Sequence, residues 1–292
     1  MIDMIKKRRL WYALSLVVIV CGLVGIINRY RQTGDAMNWG VDFTGGTAMT
    51  LRFERPLTVE PVRDALIAMG LTKHTIQFSE ERDVLIKTTI MDVPLRNQLF
   101  EYIRSNLGNF DVMEVDVIGP SMGDELKRSS WIIIIAVSIA ILAYCSWRFE
   151  WMYGVSAVVA LLHDALIVVA VSAVLGVEVN AAFVAALLTV LGYSINDTMI
   201  IFDRIREKRD ANEGILNKVV INQAIGEMFA RSIHTSVTTG LVVTALLIWG
   251  GHSLSVFAVV LLVGLITGTY SSIAIASPIL YELAVSKKGV YE

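Results

Sequence analysis

The chain has 292 residues, of which 55% are hydrophobic and 18% charged. Ordinary soluble domains carry about a quarter charged residues, so this apolar excess is more than one soluble core can bury. The net charge of −2 gives no basis for nucleic-acid binding through bulk electrostatics, and the two cysteines, Cys21 and Cys145, sit inside apolar runs as small buried hydrophobes, implying neither a disulfide framework nor a metal site.

Residues 1–9 form a basic N-terminus containing Lys6, Lys7, Arg8 and Arg9. The apolar run at 10–27 follows, and the chain then reads Asn28-Arg29-Tyr30-Arg31, which is no cleavage pattern. The run is expected to be an uncleaved signal-anchor helix, the first transmembrane helix. Residues 28–120 are polar and should form one exterior domain. Within it Thr47–Glu54 alternates as a strand, Val59–Met69 repeats at helical spacing up to Gly70, and His74–Ser79 and Asp83–Ile90 are strand-like, joined across Glu80-Glu81-Arg82. Pro94 can open a helix through Leu95, Leu99, Tyr102 and Ile103 that stops at Gly108, and Val112–Ile118 alternates again. The order β-α-β-β-α-β is that of the ferredoxin-like split unit, one sheet face covered by two helices. Its lone histidine, His74, is expected to be structural or on the surface, and the domain holds no nucleophile triad or metal cluster.

Residues 121–130 link the domain to a bundle, either as a helical extension of span two or as a hinge near Gly119-Pro120 and Gly123. Spans two to four occupy 131–203, at about 131–147, 152–175 and 181–202, and spans five and six occupy 232–279. Each is near the roughly 20 residues that cross a bilayer, and their Ala, Gly and Ser content suits close helix packing. Between them, residues 204–231 carry a stripe of Val219, Val220, Ala224, Ile225, Met228 and Phe229 that fits a cytoplasmic amphipathic helix capping the bundle, and 280–292 form the C-terminus. Lys and Arg in short flanks put both termini, Arg148 and the 204–218 region inside; the loops near Glu178 and 250–253 carry no Lys or Arg and face out. The exterior domain is therefore expected to face out.

A few ionisable residues lie where lipid-facing residues belong. Asp197 comes 16 residues after Ala181, roughly 24 Å along a helix, in the cytoplasmic half of the hydrocarbon. A carboxylate at that depth costs several kcal/mol unless paired, hydrated or protonated. Asn196, Ser194 and Thr198 surround it with polar groups, Gly192 permits close helix approach, and Asp203 is near enough to the headgroups to reach them. Depth matching across span five brings Arg231 to the level of Asp197, so that an ion pair could neutralise both, with His234 one turn further along. In span three His163 and Asp164 lie near the bilayer centre, where their titration makes proton coupling available. The competing readings are a polar clasp between helices for Asp197 and hydrogen bonding to a neighbouring helix for His234. Metal binding is disfavoured because His163, His234 and His252 lie at different depths.

Asp42-Phe43-Thr44-Gly45-Gly46-Thr47 after span one, Leu191 to Thr198, Phe202 to Glu207, and Arg231 to Ser236 occur in an order that resembles the SecF side of the SecD/SecF protein-export membrane subunit family, in the resistance-nodulation-division superfamily. The resemblance spans essentially the whole chain. It implies a non-enzymatic subunit that pairs with SecD, associates with the SecYEG channel and YajC, and uses the proton motive force to promote release of translocating preproteins on the periplasmic side. It implies coupling roles for Asp197 and Arg231, matches His163-Asp164 to a family motif, and names no cofactor beyond the coupling ion, a proton or, as in some relatives, sodium. Gly45 and Gly46 lack a following Lys and read as a tight turn at the first strand, not a phosphate cradle. The alternatives in another class are a passive assembly subunit and small-molecule efflux; the small exterior domain argues against efflux.

Overall fold

In this computed structural model residues 3–72, 74–78, 82–148 and 150–288 are described. The turn expected across Glu80-Glu81-Arg82 falls mostly outside them, as do the side chains of Arg148, His252, Lys287 and Lys288. The elements in chain order are α1 (Arg8–Thr33), α2 (Val41–Thr44), β1 (Gly46–Phe53), α3 (Val59–Ala68), β2 (His74–Phe78), β3 (Asp83–Thr88), α4 (Val93–Leu107), β4 (Phe110–Ile118), α5 (Pro120–Arg148), α6 (Trp151–Leu175), α7 (Ala181–Ala211), α8 (Lys218–Trp249), α9 (His252–Ser271), a π-helical segment (Ser272–Ala276) and α10 (Ser277–Lys288). They divide into two compact units, residues 39–132 and the remainder.

Within residues 39–132 the four strands named form one sheet in the order β2-β3-β1-β4, with each neighbouring pair antiparallel. Alternation along β1 sends Met49, Leu51 and Phe53 to the face covered by α3 and α4, where they meet Val62, Leu66, Leu99 and Ile103. Asp92 caps α4 by accepting from Leu95 N at 3.0 Å, and Pro94 sits where its missing N–H costs nothing. The other sheet face is not left bare. Val41, from a one-turn helix that periodicity cannot reveal, packs on Ala48 and Leu85. His74 bonds the Leu71 carbonyl at 2.7 Å, a structural role.

The Gly45-Gly46 pair ends α2 with φ values of 70° and 136°. A Cβ on Gly46 would lie 2.6 Å from the Thr88 carbonyl oxygen, so the turn needs glycine for space as well as conformation. Residues 121–130 are helical and belong to α5, a helical extension of span two. Gly123 lies in its first turns, where an added Cβ would stand 3.1 Å from Gly45 N, so helix and glycine turn are in backbone contact.

In the other unit, together with the whole of α5, six helices among the described residues are long and apolar enough to cross a membrane: 8–33, 121–145, 151–175, 181–211, 218–249 and 254–285. The core of the bundle lies between α6, α7, α8 and the last span, with Tyr153, Phe202, Ile205 and Ile221 among its buried side chains. Small residues set the spacing. A Cβ on Gly264 of α9 would fall 1.9 Å from Val190 Cγ2 of α7, and one on Gly22 of α1 would fall 2.2 Å from Ala170 Cβ of α6. Cys145 is buried as expected, whereas Cys21 is exposed on the outer face of α1.

Residues 204–231 are not a separate capping helix. Residues up to Ala211 prolong α7 and those from Lys218 open α8, with Asn217 capping the new helix through Val219 N and Val220 N at 3.0 Å. The apolar stripe serves this antiparallel pair, burying Val220, Ala224 and Ile225. Several of its charges pair within the chain: Glu227 takes Arg204 at 2.5 Å and Lys208 at 2.7 Å, and Arg209 takes Glu150 at 2.7 Å.

Candidate functional site: buried carboxylates in the helix bundle

Periodicity on α6 brings Tyr153, Ala157, Ala160, Asp164 and Val168 to one buried stripe. Asp164 is wholly buried, and its two oxygens are fully engaged. Oδ1 lies 3.0 Å from His163 Nδ1; Oδ2 accepts from Ser194 Oγ of α7 at 2.5 Å and from Ser271 Oγ of α9 at 2.7 Å. The other ring nitrogen of His163 lies 2.9 Å from Ser15 Oγ of α1, which is 3.1 Å from the Tyr270 hydroxyl. Tyr270 in turn donates to the Trp11 carbonyl at 2.7 Å. One hydrogen-bonded chain therefore joins four helices through side chains.

Asp197 stands one turn along α7 from Ser194, about 4.5 Å by helical rise. It is 5% exposed. Its Oδ1 accepts from Ser232 Oγ of α8 at 2.8 Å, while Oδ2 is buried without a hydrogen-bond partner among the described residues. Neighbouring Thr198 bonds Ser272 Oγ at 2.8 Å. Consecutive serines of the last span thus touch both layers, Ser271 the Asp164 layer and Ser272 the Asp197 layer. They stand where α9 passes into π-helix, a local widening in which Ser277 Oγ reaches back five residues to the Ser272 carbonyl at 2.9 Å.

The other expected residues are placed differently. Arg231 is exposed on α8, and among the described residues it forms no ion pair with Asp197, although its charge is near enough to act on that carboxylate. Helix rotation explains the difference: successive residues point about 100° apart, so burying Ser232 turns Arg231 toward the surface of the bundle. His234 is likewise exposed, with the polar side chains of Thr235 and Thr238 beside it on the outer face. Asn196 and Gly192 are exposed on α7, and Asp203 pairs with Arg206 at 3.3 Å. Ser15, Tyr270, Ser271 and Ser272 are site residues that sequence reasoning missed. Serine and tyrosine in a span carry no depth anomaly, and only the charge they serve could have drawn attention to them. Among the described residues no group of three His, Cys, Asp or Glu could hold a metal ion.

Two family models match the chain: residues 99–286 match the C-terminal region of protein export membrane protein SecD/SecF, and residues 35–57 match the SecD/SecF GG motif. The chain belongs to the SecD/SecF protein-export membrane protein family. Its likeness is to the SecF side of that family. The protein translocase subunit SecF of Sebaldella termitidis is 38% identical over 293 residues, covering 98% of this chain and 93% of that one. The SecF of Desulfurispirillum indicum is also 38% identical, covering 96% and 90%. Among solved structures, SecDF from Thermus thermophilus, described as a translocon-associated membrane protein, superposes with a TM-score of 0.86 at 32% identity. That match covers 99% of this chain and 39% of the SecDF chain, so the chain spans well under half of that longer protein. As a SecD/SecF protein the chain is a multi-pass bacterial inner-membrane protein with a large extramembrane domain.

Proposed function

We propose that this chain is a subunit of the Sec export machinery that, paired with SecD, couples the proton motive force to preprotein translocation and release on the periplasmic side. The observation that carries the reading is the state of Asp197. A carboxylate buried in a membrane-spanning helix, held by Ser232 on one oxygen and without a partner on the other among the described residues, has an open position for a proton. Family membership supplies the machine: the relatives are translocase subunits, and the longer structural relative is described as translocon-associated. On this reading Arg231 and His234, on the outer face of α8, meet the partner subunit, where SecD completes the ion path; His163 and Asp164 form the adjoining layer. The coupling ion is a proton, with sodium the alternative to be distinguished by gradient. SecYEG and YajC are the further partners. The extramembrane domain is periplasmic and ferredoxin-like, a reading supported by its β-α-β-β-α-β element order and by antiparallel pairing in the order β2-β3-β1-β4.

A second reading has its own observation. Asp164 has no unsatisfied oxygen and looks like a clasp that fixes helix positions, so the bundle could serve assembly without ion coupling. Reconstitution with SecD and the channel separates the two. Asp197→Asn should abolish the stimulation of export by an imposed proton gradient while the complex stays assembled. Undiminished gradient-driven export by that variant would leave the assembly reading, and swapping the proton gradient for a sodium gradient identifies the ion.

A further inference from the structure

Arg29 and Arg31 sit in the last turns of α1, at the end opposite the basic N-terminus. Arg9 to Arg29 is 20 residues, about 30 Å of helix, which spans the hydrocarbon and sets Arg29 at the interface opposite the basic N-terminus. The short loops on that outer side carry no Lys or Arg, as expected of the translocated face. Two arginines so close together on one helix end are suited to a local anion.

The structure has a place for one. A groove of about 730 Å³ runs between the outer ends of α1 and α6, a size suited to a small organic molecule. Its membrane-facing part is apolar, with Val20, Val24 and Val174 along it. Its outer end is polar: Asn28 and Gln32, one turn apart, are flanked by Arg29 and Arg31. Gly25 brings α1 against Val174, an added Cβ there lying 3.3 Å from Val174 Cγ2. Arg29 is oriented rather than free. It donates from a guanidinium nitrogen to Asn38 Oδ1 at 3.3 Å, and the buried Asn38 donates to the Gly176 carbonyl of the α6 end at 2.9 Å. Arg29 Nε is buried and has no hydrogen-bond partner among the described residues. Neither arginine has a carboxylate partner among those described.

We propose that this groove binds an anionic phospholipid of the outer leaflet. The phosphodiester sits between Arg29 and Arg31, with Asn28 and Gln32 donating to its oxygens, and one acyl chain lies along Val24 and Val174. A guanidinium matches a phosphate geometrically and electrostatically. The gradation from apolar to cationic along one groove is the polarity profile of a phospholipid at the interface; a soluble anion would use only its polar end. The inference is independent of ion coupling and concerns the outer end of the bundle alone.

Native mass spectrometry of the full chain, released from detergent after equilibration with phosphatidylglycerol or phosphatidylcholine of identical acyl chains, tests it. One phosphatidylglycerol per chain should be retained in clear preference to phosphatidylcholine. Arg29→Gln combined with Arg31→Gln should weaken phosphatidylglycerol binding about 30-fold, from roughly a four- to sixfold loss for each charge at a membrane surface. Equal retention of the two lipids by the parent chain, or undiminished binding by a double variant that keeps its melting temperature, would overturn the proposal. Millimolar inorganic phosphate should not displace the lipid; if it does, the site is for a free anion and the proposal also fails. The lipid preference and the phosphate competition use the parent chain, so they decide the matter even if the double variant does not fold.

Discussion

Ser232 of α8 donates a 2.8 Å hydrogen bond to Oδ1 of Asp197 on α7, and among the described residues Oδ2 of the same carboxylate has no such donor. The carboxylate is therefore tethered but not caged. Ser232→Ala removes the tether and leaves a buried carboxylate with no hydrogen bond, a change worth about 1–3 kcal/mol. The expected outcome is a lower melting temperature in detergent together with weakened gradient-driven export, and recovery of both by Ser232→Thr, which restores the hydroxyl. A Ser232→Ala protein that exports like the parent would show that the tether does not matter to coupling.

Asp164 is bound in the opposite manner, and its replacement should therefore behave differently from that of Asp197. Asparagine in place of Asp164 turns one acceptor oxygen toward a donor NH2 in a site already supplied with hydroxyl donors from Ser194 and Ser271. Breaking a wholly buried network costs about 2–4 kcal/mol. Asp164→Asn should lower the melting temperature clearly more than Asp197→Asn does. Equal effects of the two substitutions would contradict the distinction between a clasp and an open carboxylate.

What the sequence could and could not convey follows from the signals involved. Asp197, His163 and Asp164 are recognisable because a charge in an apolar run is costly, and the same cost obliges the fold to bury them among partners. Arg231 was matched to Asp197 by depth alone. Depth fixes height along a helix but not azimuth, and the azimuth of α8 gives Ser232 the inward position. Ser15 and Ser271 could not be found because a serine or threonine hydroxyl in a span can bond its own backbone, as Thr235 does to the Arg231 carbonyl; Tyr270 could not because a single tyrosine in a span carries no charge that needs a partner. In the extramembrane domain the period-2 and period-3.6 patterns located four strands and two helices to within a few residues. They missed α2, since four residues are shorter than any periodicity. The 204–231 stripe was correctly apolar but assigned to one helix, because an amphipathic stripe does not reveal whether it covers a membrane surface or a neighbouring helix.

Asp116 provides a pH-dependent handle on the extramembrane domain. It lies on β4 opposite Ala48, and partial burial followed by the charges of Glu114 and Asp42 raises its carboxyl above the ordinary range. A folded-state value above the unfolded one means that the folded domain binds the proton more tightly. Its stability should therefore rise as pH falls from 7 through the folded value, and level off below the unfolded value near 3.9. The side chain is largely at the surface, so the effect is a few tenths of a kcal/mol. Asp116→Asn should raise β4 amide protection at pH 7, after correction for intrinsic exchange, and reduce the gain on acidification. Protection that falls from pH 7 to 5 in the parent, with no difference in the variant, would contradict this sign.

The close approach of α9 to α7 at Gly264 offers a test with its own rescue. A Cβ on Gly264 of α9 would sit 1.9 Å from Val190 Cγ2 and 2.6 Å from Cγ1, distances no rotamer adjustment of glycine's own making can relieve. Val190 is 1% exposed, so its side chain has little room to retreat and α9 must shift instead. One turn away, Gly268 holds Ser194 at the same seam, where a Cβ would stand 3.0 Å from Ser194 Cβ; Ser194 is a donor to Asp164. Displacing α9 therefore disturbs the Asp164 layer as well as apolar packing. Gly264→Ala should cost about 1–3 kcal/mol, read as a fall in melting temperature, and reduce export in proportion. Val190→Ala opens a space at the point of collision, so the double variant should regain much of the loss and be more stable than the sum of the two single changes allows. Strict additivity of the two substitutions would mean that the seam yields elsewhere and that Gly264 is not what sets the spacing between α7 and α9.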